Sequence, residues 1–75
     1  EDSFIGRVAV VTLGSAEVGS PAQAKLRDEH GQTHYVMVEP DNKGVVINAG
    51  SSVVLVSRNG AIFKAILNVN AALVD

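Results

Sequence analysis

Pro21-Ala22-Gln23-Ala24-Lys25-Leu26-Arg27-Asp28-Glu29-His30-Gly31-Gln32-Thr33-His34-Tyr35-Val36-Met37-Val38-Glu39-Pro40 is the stretch that decides the fold. Ala22, Ala24 and Leu26 alternate with Gln23, Lys25 and Arg27, a period of two that suits a strand with one apolar and one wet face. Asp28-Glu29-His30-Gly31 then supplies turn residues, and Thr33 to Val38 resumes the extended pattern with Val36 and Val38 two apart. The stretch predicts an antiparallel hairpin, which makes the class all-β.

Outward from the hairpin, Phe4 to Leu13 reads as a long first strand, with an early Gly6 marking a bend or bulge. Val8 and Val10 on one face, and Ala9, Val11 and Leu13 on the other, predict burial on both sides, as in a coiled strand shared by two parts of a small barrel. Gly14 to Pro21 reads as a loop, and Pro40-Asp41-Asn42-Lys43-Gly44 as a second. Val45 to Ile47 is either a short extended piece or loop. Ser52 to Ser57 predicts a fourth strand and Ala61 to Ile66 a fifth. Between them Arg58-Asn59-Gly60-Ala61 predicts a type I′ hairpin turn, since Asn-Gly tolerates the two positive φ angles it needs. The tail, residues 67–75, is open between ragged strand, short helix and irregular chain. Five strands fit a Greek-key barrel of the OB type, with an SH3-like barrel as competitor. Glu39 to Ser51 is poor in helix formers, so no helix is expected between the third and fourth strands.

Seventy-five residues make one domain, 1–75, with a core of Val, Ile, Leu and Ala because only Phe4, Tyr35 and Phe63 are aromatic. The absence of cysteine excludes a disulfide staple, a thiolate metal site and a thiol nucleophile. A net charge of −2 argues against a broad polyanion-binding surface. The longest apolar runs, Val8 to Val11, Val53 to Val56 and Ala71 to Val74, are far short of the roughly 20 residues that span a bilayer. No signal peptide is visible, and a start at Glu1 reads as a piece of a longer protein.

Chemistry is thinly represented. His30 and His34 have the four-residue spacing of helical metal ligands, but a turn entering a strand removes its meaning, and no metal or other cofactor is expected. Asp28 with Glu29 and Glu39 with Asp41 are acid pairs in or beside polar turns, where solvated carboxylates are the ordinary outcome. No serine lies in a Gly-x-Ser-x-Gly elbow, and Gly14 to Gly19 is followed by Ser20-Pro21 rather than the lysine of a phosphate loop. No enzyme is expected and no catalytic residue is assigned.

The best binding candidate is the polar face of the hairpin. Lys25 and Arg27 share one strand face, and Tyr35 and Met37 share the outer face of the next strand if Val36 and Val38 point inward. A basic pair beside an aromatic is how an OB barrel grips single-stranded nucleic acid, which makes such a binder the alternative reading. Ile62 and Ile66 flank Lys64 on the last strand, which marks either a protein interface or a surface packed beneath the tail.

Several motifs resemble a known family. Phe4-Ile5-Gly6-Arg7-Val8-Ala9-Val10-Val11-Thr12-Leu13-Gly14, Gly19-Ser20-Pro21-Ala22-Gln23-Ala24-Lys25-Leu26-Arg27-Asp28 and His34-Tyr35-Val36-Met37-Val38-Glu39-Pro40 resemble the soluble C-terminal domain of NfeD-like membrane proteins, in particular the YqiJ/YuaF-type inner-membrane proteins of bacteria. Gly50 through Val56 and Gly60-Ala61-Ile62-Phe63-Lys64-Ala65-Ile66 are similar to that family's ending. The resemblance implies transmembrane helices elsewhere in the protein, a five-stranded OB barrel facing the cytoplasm, and a protein-interaction or assembly role beside a flotillin- or stomatin-like partner. It implies no enzymatic activity and transfers no binding residues. Some longer relatives add a serine protease domain, which nothing in this chain matches.

Overall fold

The computed structural model describes residues 2–69. Asp2–Phe4 forms a single 3₁₀ turn, followed by β1 (Val8–Val11), β2 (Ser15–Ala16), β3 (Ala22–Arg27), β4 (Thr33–Pro40), β5 (Ile47–Asn48), β6 (Ser52–Asn59) and β7 (Ile62–Leu67). Five of these close into a barrel in the order β1-β3-β4-β7-β6, and β2 pairs with β5 in a separate two-stranded sheet. The expected architecture is therefore present: an all-β, five-stranded barrel with no helix between β4 and β6. β1 is the shared strand, antiparallel to β3 on one edge and to β6 on the other. β4 and β7 run parallel, which closes the barrel and leaves it without an open edge.

The hairpin that sets the class is β3–β4, with Ala22 opposite Val38 and Arg27 opposite Thr33. Its turn is built on Asp28, whose Oδ1 accepts the amides of His30 (2.8 Å) and Gln32 (2.9 Å). A side chain that reaches its own following amides in this way substitutes for backbone turn bonds.

Inward residues alternate along every barrel strand. Ala9 and Val11, Ala22, Ala24 and Leu26, Val38, Val53 and Leu55, and Phe63 and Ala65 form the buried core. The many alanines suit a narrow interior in which a few large side chains fill the space that small ones leave. Phe4 closes the end where β4 begins, its ring 4.9 Å from that of His34 and 6.1 Å from that of Phe63. Ala16 and Ile47, from the β2–β5 pair, are fully buried and belong to the same core.

Several local expectations need correction. β1 spans only Val8–Val11, and its faces are unequal: Ala9 and Val11 are buried, whereas Val8 is 48% exposed and Val10 is also exposed. Among the described residues no second layer of structure covers this part of the barrel wall, so alternation leaves Val8 and Val10 in water. Leu13, expected inside, lies beyond the strand and is 65% exposed. Upstream, Gly6 at φ 90° turns the chain out of the 3₁₀ turn, donating its amide to Leu55 O, so the predicted bend is present although the strand starts later.

The predicted Gly14–Pro21 loop contains β2, because its Ala16 side chain is needed in the core. Of the two readings of Val45 to Ile47, only Ile47 is in a strand. The β6–β7 turn is centred on Gly60 and Ala61, with Asn59 paired to Ile62, and Gly60 (φ 64°) is its one positive-φ residue. That is the type II′ pattern, with glycine first, rather than the type I′ pattern, which would force a second positive φ on Ala61. β7 extends to Leu67, one residue past the expected end, and the Asn68 amide continues the pairing to Ser52 O at 2.9 Å. The remainder of the predicted tail, residues 70–75, lies outside the described residues.

Candidate functional site

The outer surface of the barrel carries the residues of interest, because the hydrogen-bonding register sets them side by side. Lys25 on β3 lies directly across from Tyr35 on β4, with Val10 of β1 on its other side. Gln23 lies across from Met37, and Met37 is in register with Ile62 of β7. Val38 is fully buried and Val36 packs against the core, so Tyr35 and Met37 face outward as the alternation predicts. Tyr35 is 62% exposed and Met37 is also exposed.

Lys25, Arg27, Tyr35, Met37 and Ile62 thus share one continuous surface across β3, β4 and β7. The remaining two predicted residues separate from it. Lys64 is in register with Glu39 and donates its Nζ to Glu39 Oε1, so it is committed to an ion pair inside the protein. Ile66 is exposed on β7 beyond the β4 pairing, opposite Val54 of β6. It borders a groove of about 340 Å³ with Pro40, Val45 and Leu67.

Glu39 points outward yet is buried. The amide of Gly19, in the turn between β2 and β3, reaches its Oε2 at 3.4 Å. The Lys64 ammonium, and then the Gly19 amide, hold this carboxyl below the usual glutamate value against the opposing effect of burial. The pair pins the turn to the barrel wall, a role in the fold.

Asp28 has a comparable role at the opposite end of β4. His34 points toward the barrel mouth, sets its ring tilted against that of Phe4, and donates from Nε2 to Asp28 Oδ2 at 2.8 Å. That bond, followed by those from the Gln32 and His30 amides, holds the Asp28 carboxyl down at about 2. His30 is exposed at the hairpin tip, 3.4 Å from Glu29. Neither acid pair forms a shared carboxylate site, since Asp28 is committed to His34 and Glu39 to Lys64. Among the described residues, no three histidine, aspartate or glutamate side chains are grouped as metal ligands.

Sequence reasoning missed one part of the surface. An open groove of about 750 Å³ runs between the chain leading into β1 and the outer face of β3, lined by Ile5, Arg7, Val8, Val10, Lys25 and Arg27 among others. Val8 and Val10 read as core in the sequence because four apolar residues in succession carry no alternation from which to choose a face.

Residues 3–66 match a family model described as inner membrane protein YqiJ, OB-fold. No curated relative and no solved structure matches the chain. No helix among the described residues is long and apolar enough to cross a membrane.

Proposed function

The chain belongs to the family of OB-fold domains of the inner membrane protein YqiJ, and from that premise we propose that its barrel is a non-catalytic docking module for a protein partner. The observation that carries this reading is the outer surface of β4 and β7, where exposed Tyr35 and Met37 lie beside half-buried Ile62, the register partner of Met37. Aromatic and methionine side chains are enriched where proteins meet, and an apolar strip within a polar rim is the anatomy of such an interface. The non-catalytic part of the reading is supported by the use of the polar groups within the fold, Asp28 on His34 and two amides and Glu39 on Lys64. By the family resemblance, the partner is a flotillin- or stomatin-like protein, the barrel faces the cytoplasm, and the assembly organises the membrane around it.

A single-stranded nucleic acid is the second reading, favoured by Lys25 directly across from Tyr35 on the β3–β4 face that OB barrels commonly use. A titration followed by amide chemical shifts distinguishes the two. The soluble region of a flotillin-like partner is added to the labelled chain, with an oligonucleotide in a parallel arm. Saturable shifts centred on Tyr35, Met37 and Ile62 with the protein, abolished in Y35A/M37A, are expected. Shifts with the oligonucleotide alone, weakening steeply as salt rises, would replace the docking reading with nucleic-acid binding.

A further inference from the structure

We propose that the groove between the chain leading into β1 and the outer face of β3 rests on an anionic phospholipid surface. The proposal does not depend on the protein-docking reading, which concerns β4 and β7. Although the chain carries a net charge of −2, three of its six lysines and arginines, Arg7, Lys25 and Arg27, line this one groove. Among the described residues that line it, none is acidic. At the β3–β4 hairpin tip, Glu29 stands 3.7 Å from Arg7 and Asp28 is engaged by His34.

Beside the cations stand three exposed aliphatic side chains, Ile5, Val8 and Val10, with Ser3 and Thr33 also in the lining. Aliphatic side chains ringed by arginine and lysine match the boundary of a bilayer. The cations meet phosphates, their stems lie along the apolar surface, and the aliphatic groups reach toward the acyl chains. A chain of an inner membrane protein family meets such a surface as a neighbour, so modest contacts suffice to orient the barrel. With β1 and β3 against the lipid, β4 faces sideways and β7, which pairs with neither β1 nor β3, lies on the far side of the barrel.

The test is sedimentation of the 75-residue chain with vesicles of phosphatidylcholine containing one quarter phosphatidylglycerol, against vesicles of phosphatidylcholine alone. Binding to the anionic vesicles is expected, falling with salt. Each lysine or arginine at such a surface contributes roughly fivefold in affinity, so K25Q/R27Q should bind about 25-fold more weakly. K43Q, in the loop between β4 and β5 and outside the groove, should bind as the parent does. Spin-labelled lipid should broaden the amide signals of Val8, Val10, Lys25 and Arg27. Three results would overturn the proposal: equal or absent binding to the two vesicle types, an equal loss in K43Q, or broadening centred on β4 and β7.

Discussion

Asp28 shows how one side chain can hold a turn. Its carboxylate accepts bonds from the His34 ring and from the His30 and Gln32 amides, and titrates at about 2 rather than at its ordinary value of 3.8. A carboxyl depressed in the folded state adds stability that is complete above the unfolded pKa and fades as the pH falls through the folded one. The contribution of Asp28 is therefore present at neutral pH and lost on acidification from about pH 4 toward pH 2. Thermal unfolding followed by circular dichroism should find D28N less stable than the parent at pH 7, with a smaller further loss between pH 5 and pH 2. H34A should raise the Asp28 titration midpoint, read from its carboxyl carbon shift; an unmoved midpoint would show that the amides alone depress it. Little of this was legible in the sequence. The spacing of Asp28 to Gly31 announced a turn, but the reach of His34 back to Asp28 depends on the register that places His34 opposite Leu26.

At the scale of elements, the β6–β7 hairpin and the Glu39–Lys64 pair make separate predictions. Gly60 sits at φ 64°, and a Cβ added there would meet nothing within 4 Å, so the cost of G60A is conformational. It should amount to about 1–2 kcal/mol, the left-handed penalty of a residue with a side chain. Denaturant midpoints of G60A and N59A would check this, the glycine variant being the less stable. Asn-Gly revealed the hairpin from the sequence, yet the turn type followed from which residues the strands paired, since only pairing decides whether asparagine or glycine opens the two-residue loop. For Glu39, K64M removes the cation that holds the carboxyl down and should destabilise the chain more than K43M does. It should also raise the Glu39 titration midpoint. Nothing local in Val-Glu-Pro-Asp marks Glu39 as buried, because both its cover and its partner come from distant segments, Gly19 and Lys64.

For the molecule as a whole, a closed barrel of this length has only about 4 to 11 kcal/mol of stability, so a single core truncation weighs heavily. L55A removes most of a fully buried side chain and should cost about 2–5 kcal/mol, whereas L13A, at an exposed position, should fall within about 0.5 kcal/mol of the parent. Chemical denaturation of the two variants checks this directly. Two leucines of equal hydropathy thus differ entirely by position. The sequence by itself determined the class, the β3–β4 hairpin, the five barrel strands and the absence of a helix between β4 and β6, because alternation, turn residues and helix propensity act within a few residues. It also anticipated that Lys25, Arg27, Tyr35 and Met37 share an outer face, since alternation on two paired strands suffices for that. Closure decided the rest. Only the ring of β1, β3, β4, β7 and β6 sends Val8 and Val10 outward, sets Ile62 beside Met37, and withdraws Lys64 onto Glu39. Which face of an apolar strand meets water depends on what packs against it, and here those neighbours lie far away along the chain.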